Sequence, residues 1–286
     1  MDGVEAALVV DQRKGVISGR RFYKMSGSGN DFVVFDSRDG SVAELVDSST
    51  IRRLCDRRQG IGADGIVILE PSTRADLLMK YFNSDGSRGA MCGNAALCVT
   101  RLATQLGLAK AAGMAIETDD GIVKSRLTGD RPEIELRPIK QLRRSVAEDL
   151  EAGERRLGYA VAGVPHIVVL CDDVERVDVP VRGAALRRAR WTLPHGANVN
   201  FVSGPSDAWA MRTFERGVEG ETLACGTGAV AVAALLEAWG LSARETAVRT
   251  RSGRVLEVVL GESDGKLLPR LRGEARVVFE GDLREG

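Results

Sequence analysis

Cys92 and Cys225 are the residues whose surroundings single them out for chemistry. Each precedes a glycine and a small polar residue at the head of an Ala-rich, helix-forming run: Cys92-Gly93-Asn94-Ala95-Ala96-Leu97 and Cys225-Gly226-Thr227-Gly228-Ala229-Val230. The pattern predicts that both thiols stand at helix N-termini, where unpaired backbone N–H groups and the positive end of the helix dipole favour an anion. Such a position is expected to lower a thiol's pKa toward the catalytic range. The same N–H groups can bind a carboxylate. A thiolate on one face of a carbon and a thiol on the other can remove a hydrogen and return one with inversion, and the same pair serves both directions. An amino-acid α-hydrogen is so weakly acidic that the carbanion also needs donors aimed at its carboxylate and exclusion of water. Two helix starts would supply those donors without a pyridoxal ring. Cys55, Cys98 and Cys171 lie in apolar contexts and read as buried, inert thiols.

What must position the pair is an internal repeat. Phe32-Val33-Val34-Phe35 with Asp36 recurs as Ile167-Val168-Val169-Leu170 with Asp172, displaced by about 135 positions, and Gly62-Ala63-Asp64 matches Gly196-Ala197-Asn198, displaced by 134. Phe82 leads by ten residues to Cys92, Phe214 by eleven to Cys225, and the two Cys-Gly pairs are 133 apart. The landmarks predict two similar α/β domains dominated by strands, 20–135 and 136–286, with the last strand able to cross back onto the first domain and residues 1–19 as an extension. Strand-like runs are expected at 115–127, 133–136, 166–170, 254–260 and 275–279, and helices at 50–57, 95–106 and 227–239. If the halves pack face to face about an approximate two-fold axis, both thiols converge on one cleft.

Composition excludes several other classes of function. At 286 residues and 44% hydrophobic the chain can bury ordinary cores, and forty basic against forty acidic residues leave no overall field for nucleic acid or an anionic membrane. Residues 1–20 lack a signal-like apolar core, and the longest apolar stretch, 229–236, is far too short to span a bilayer. Five scattered cysteines, without paired metal-ligand spacing, read as free thiols in a reducing cytoplasm, with no metal. Gly27, Gly29, Gly60 and Gly62 lack the continuation of a phosphate loop and read as tight turns at a cleft rim. The arginine-rich run 182–190 reads as the solvated face of a helix.

The motifs Lys24-Met25-Ser26-Gly27-Ser28-Gly29-Asn30-Asp31-Phe32, Gly60-Ile61-Gly62-Ala63-Asp64-Gly65, Phe82-Asn83-Ser84-Asp85-Gly86-Ser87, Met91-Cys92-Gly93-Asn94, Pro165-His166, Glu215-Arg216-Gly217, Glu221-Thr222 and Ala224-Cys225-Gly226-Thr227-Gly228 span nearly the whole chain. On these residues the chain resembles the diaminopimelate epimerase family, cofactor-independent isomerases that convert LL- to meso-diaminopimelate for lysine and cell-wall synthesis. The resemblance implies two pseudo-symmetric domains, each a barrel-like sheet around a central helix, with the active site in the cleft between them. By it Cys92 and Cys225 are the catalytic bases, and Gly93, Asn94, Gly226 and Thr227 offer helix-start donors to the reacting carboxylate. Asn30, Asn83, Asn198, Glu215 and Arg216 look like substrate ligands, with Arg216 suited to the distal carboxylate and Glu215 to an ammonium. His166 and Glu215 are similar to residues that tune the thiols, and a homodimer is implied.

The chain departs from the family pattern at Ala95 and Leu97, where Gly and Arg are usual, and at Val164, where Asn usually precedes Pro-His. Gly65 stands where some members carry Gln. Val164 bears most on the choice of substrate, because that Asn contacts the distal end in many members. Two other readings stand beside this one: a related two-cysteine racemase of another amino acid, such as histidine or proline, and a thiol-redox or amino-acid-binding protein.

Overall fold

The structure is a computed structural model that describes residues 19–39, 46–205 and 208–284, so nearly all of the expected extension 1–19 lies outside the described residues. Its strands repeat one order of pairing twice. In the first half Arg21–Gly27 pairs antiparallel with Asn30–Asp36, which runs parallel to Gly65–Glu70. The crossover between them carries α1 (Ser48–Cys55). Gly65–Glu70 then pairs antiparallel with Leu77–Asn83, which runs parallel to Met114–Thr118 after α2 (Gly93–Gln105). Gly121–Thr128 and Arg131–Glu135 complete a meander.

The second half follows the same path. Glu154–Ala162 pairs antiparallel with Val164–Cys171, which runs parallel to Asn198–Ser203 after α3 (Val179–Arg187). Trp209–Glu215 follows antiparallel and runs parallel to Glu245–Arg249 after α4 (Gly226–Ala238). Val255–Ser263 and Lys266–Arg272 close the second meander. The segment after each meander pairs with the first strand of the other half: Leu142–Arg143 with Glu154–Ala162, and Ala275–Asp282 with Arg21–Gly27.

The sequence accounts for these elements locally. The Asp47 carboxylate accepts from the N–H groups of Ser49 and Thr50 and so caps α1, whose Ile51, Leu54 and Cys55 are buried. Strand Gly65–Glu70 is apolar without alternation because both faces are covered. Val67 and Leu69 join the core around α2, and Ile66 and Ile68 join the cluster under α1. From Gly228 to Leu236 every residue of α4 is buried, as expected of a helix that is apolar all round and lies inside a sheet. The result is a strand-rich α/β protein in which α2 and α4 are each wrapped by strands of their own half together with the segment that crosses over from the other, Ala275–Asp282 on α2 and Leu142–Arg143 on α4.

Three expectations need correction. The strand pairings move two matches of the repeat by one residue: Phe32 corresponds to His166 rather than Ile167, and Gly65 rather than Asp64 corresponds to Asn198, because each half's strands pair in the same register. The run 115–127 is a hairpin, not one strand: Gly121 has φ 113°, which favours glycine, and the Thr118 hydroxyl donates to the Gly121 carbonyl at 2.7 Å to close the turn. The arginines of 182–190 do not form a solvated face throughout. Arg182 forks onto Glu154 with both bonds at 2.8 Å and is almost buried, because α3 lies flat on the second half's sheet; Arg188, by contrast, is exposed.

The halves meet where Arg131–Glu135 pairs antiparallel with Lys266–Arg272, joining Leu271 to Ile134. A methyl placed on Gly93 would lie 3.5 Å from Leu271 Cδ2, and one on Gly226 2.9 Å from the same atom. One fully buried leucine therefore touches both helix starts. Leu271→Ala should lower the unfolding free energy by about 2–5 kcal/mol, read from denaturant titration, and lower turnover as well; unchanged stability would show that this contact does not hold the halves together.

Candidate active site

Cys92 and Cys225 occupy the N-cap positions of α2 and α4, with nearly the same extended backbone (φ −133°, ψ 121° and φ −139°, ψ 108°). Cys225 is buried and Cys92 partly exposed. The two sulfurs are close enough for the charge of one to oppose ionisation of the other. The expected lowering of their pKa values is not what the empty site shows. Burial pushes Cys92 up to about 11, although the backbone N–H groups of Ala95 and Asn94 pull it down. Burial likewise pushes Cys225 up to about 12, with Glu215's charge adding to the rise and the Thr227 hydroxyl and the Gly228 N–H opposing it. The helix-start donors act in the expected direction, but desolvation outweighs them.

On the first half a chain of hydrogen bonds fixes Asn30 and Asn94. Asn94 Nδ2 donates to Asn30 Oδ1 at 2.7 Å, and Asn30 Nδ2 donates to Asp64 Oδ2 at 3.0 Å. Arg57 then bridges Asp64 and Asp31, and Lys24 pairs with Asp31 from the buried side. Burial would raise the Asp31 carboxyl, but hydrogen bonds from Arg57 and Lys24 hold it at about 2. Asn94 Oδ1 is buried with no partner among the described residues and lies 3.7 Å from where a Gly226 methyl would stand. It thus faces the other helix start. Asn83, on the strand beside Gly65, accepts from the Tyr81 hydroxyl at 2.9 Å and donates to Ser87 Oγ at 3.0 Å.

On the second half Asn200 Oδ1 accepts from Thr213 Oγ1 at 3.0 Å, which turns its Nδ2 toward His166 Nδ1 at 3.2 Å and the Ile167 carbonyl at 3.0 Å. His166 Nδ1 must then be the acceptor, and the ring proton sits on Nε2, which is buried with no partner among the described residues. Burial, helped by the charge of Arg216, pushes this imidazole down to about 3, so it is neutral at any ordinary pH. Gly228 leaves room for the group: a methyl there would lie 2.3 Å from Asn200 Oδ1 and 3.2 Å from Cys225 Sγ.

Asn198 is buried, and its Oδ1 accepts from the Arg216 backbone N–H at 2.7 Å. The Arg216 guanidinium reaches the His195 carbonyl at 3.5 Å and has no carboxylate partner among the described residues. Glu215 is raised by burial and by Asp64's charge, against the Thr222 hydroxyl. The structure therefore brings Cys92 close to Cys225, with Glu215 near both thiols, and turns Asn94, held by Asn30, toward Gly226; Asn198, Arg216 and His166 lie together on the second half, and Asn83 lies beside Tyr81 on the first. Sequence reasoning did not single out Asp64, Tyr81, Asn200 or Thr213. The available signal was alternation, since Asn198 and Asn200 fall on one face of a wholly buried strand.

A sequence model described as diaminopimelate epimerase matches residues 22–137 and 158–277. The diaminopimelate epimerase of Gemmatimonas aurantiaca is 50% identical over 273 residues, covering 92% of this chain and 98% of the relative. The chain belongs to the diaminopimelate epimerase family. It is an isomerase of the epimerase type. The family's Aquifex aeolicus member is 38% identical over 278 residues, covering 92% of this chain and 98% of that protein. The fold is shared more widely. A phenazine biosynthesis protein of the PhzF family from Bacillus anthracis superposes with a TM-score of 0.72 at 15% identity, covering 92% of this chain and 98% of its own. A hydroxyproline epimerase from Agrobacterium vitis gives 0.66 at 18%, covering 96% and 92%. Against the family pattern, Leu97 is fully buried where Arg is usual, packed so that a methyl on Gly273 would lie 2.8 Å from its Cδ1. Val164 opens its strand next to Gly163, whose added methyl would lie 3.7 Å from Thr227 Cγ2, so it sits at the edge of the Cys225 helix start.

The raised thiols carry a pH signature. A group whose pKa is raised on burial stays protonated at neutral pH, so alkylation of Cys92 by iodoacetamide in the ligand-free protein should speed up about tenfold per pH unit between pH 7 and pH 9. Glu215→Gln removes a negative charge that raises both thiols, which should move this profile to lower pH. Mass-resolved alkylation reads both effects, and a rate already flat above pH 7 would show that Cys92 is ionised.

Proposed function

We propose that the protein interconverts LL- and meso-diaminopimelate by two-base proton transfer at one α-carbon, with Cys92 and Cys225 as the bases. The observation that carries this reading is the pair of thiols at N-caps of like geometry, on helices that share the Leu271 contact. The reacting carboxylate would lie between the backbone donors at Gly93 and Asn94 and those at Gly226 and Thr227. A carbanion formed there keeps its charge next to two helix starts. One cysteine removes the α-hydrogen as thiolate, and the other gives a proton to the opposite face. The bound α-ammonium adds a positive charge beside sulfurs that burial otherwise holds at about 11 and 12, which favours the single thiolate the reaction needs.

Arg216, free of any carboxylate partner among the described residues, is suited to the distal carboxylate, with Asn198 bonded to its backbone N–H and Asn83 as a further ligand from the first half. Glu215 is suited to an ammonium. His166, neutral and fixed by Asn200, would present its Nε2–H toward the Cys225 side. We also place the protein in the cytoplasm as a homodimer. The five free cysteines and the family resemblance support this, and no helix of the described residues is long and apolar enough to cross a membrane.

Deuterium incorporation at the α-carbon of LL-diaminopimelate in heavy water, with chiral analysis of the product, tests the reading. Wild type should exchange with inversion, and Cys92→Ala and Cys225→Ala should each lose at least about a thousandfold in turnover. A wild type that ignores diaminopimelate but racemises another amino acid would favour the related-racemase reading, to which Val164 and Gly65 would then point. Activity that survives either cysteine replacement would overturn the two-thiol mechanism.

A further inference from the structure

The Tyr81 ring lies between two glycines. A methyl on Gly65 would stand 2.7 Å from its Cε2, and one on Gly89 2.6 Å from its Cδ1. Gly65 could not carry a side chain in any case, since the same methyl would lie 2.5 Å from the Phe82 carbonyl oxygen. The ring packs edge-on against Phe32, with centroids 6.1 Å apart, on the face of its strand that looks toward α2 and Cys92. The Tyr81 ring therefore takes up space that a side chain at Gly65 would need.

We propose that Tyr81 is a substrate-positioning residue that sets the orientation of Asn83 for the distal carboxylate, an inference that rests on the function proposed above. Its hydroxyl donates to Asn83 Oδ1 at 2.9 Å, and Ser87 Oγ takes one N–H of the same amide at 3.0 Å. With Oδ1 engaged, the remaining Asn83 N–H is the group left for a ligand, and an N–H suits a carboxylate. Without the hydroxyl the amide could turn and present oxygen to that carboxylate, which repels it. The phenol belongs to the cleft: burial raises its pKa, and the charges of Cys92, Asp64 and Glu215 raise it further, so it remains a neutral donor across the working pH range. Thr213 holds the corresponding place in the second half and bonds Asn200 instead, so the Tyr81–Asn83 pair is peculiar to one side of the cleft.

Tyr81→Phe keeps the ring between its glycines and removes only the oxygen. Steady-state kinetics with LL-diaminopimelate should show KM raised about tenfold with kcat changed less than about threefold, and an unchanged melting temperature. In an Asn83→Ala background the same substitution should cost nothing further, because its effect passes through Asn83. An unchanged KM, or a full tenfold loss that persists in the Asn83→Ala background, overturns the assignment while wild-type turnover leaves the proposed function standing. A wild type without activity on diaminopimelate overturns the proposed function and the distal-carboxylate role of Tyr81 with it.

Discussion

Two thiols, one buried and one partly exposed, at two opposed helix starts are the constraint that the rest of the structure serves. Burial and helix-start donors work against each other there, and burial prevails in the empty site, holding the sulfurs at about 11 and 12. A site of this kind withholds its thiolate until a ligand brings compensating charge, which suits a reaction whose carbanion must not meet water. The close approach depends on small residues and one large one. Gly226 and Gly93 leave room for Leu271, Gly228 leaves room for Asn200 and Cys225, and the sheet carrying Leu271 runs from one half into the other.

The repeat duplicates the backbone far more faithfully than the floor of the site. In the first half Phe32, Val67 and Tyr81 lie on successive strands beneath α2. His166, Asn200 and Thr213 hold the corresponding places beneath α4. One thiol thus stands over an aromatic, largely apolar base and the other over a buried hydrogen-bonded triad with a neutral imidazole. Thiols on such different floors need not have equal basicity. The Nε2–H of His166 and the Asn94 Oδ1, both without partners among the described residues, are polar groups held ready at a desolvation cost, a combination expected where a ligand completes the bonding.

Much of this was legible in the sequence, because the signals were periodic or local. The nearly constant offset of several landmarks pointed to the duplicated order of strands, and the Ala-rich runs placed α2 and α4 within a residue or two. Two kinds of feature were not legible. Turns decided by one glycine, such as Gly121, divide an apolar run that reads as continuous. Partnerships across strands depend on register, which no spacing along the chain reveals: Tyr81 meets Gly65 diagonally across an antiparallel pair, and Asn200 finds His166 across a parallel pair. The direction of the thiol shifts was misread for a related reason. A helix start is visible in sequence, whereas the desolvation that overrides it depends on both halves closing over the sulfurs.

The pattern of what was kept and what diverged between the halves follows from the proposed chemistry. Inversion treats the two faces of the reacting carbon alike, so the groups that serve it should be duplicated, and they are: Cys92 with Cys225, Gly93 with Gly226, and the small polar residues Asn94 and Thr227. The distal end of diaminopimelate is a stereocentre that does not change, so the groups that hold it must distinguish hands and cannot be symmetric. The corresponding positions do differ, with Asn30 facing Val164, Gly65 facing Asn198 and Asn83 facing Glu215 across the repeat. A symmetric set at those positions would grip either configuration equally well. On the proposed chemistry, Val164 in place of Asn would remove a polar group from recognition of the distal end and leave the duplicated groups, Cys92 with Cys225 and Gly93 with Gly226, untouched.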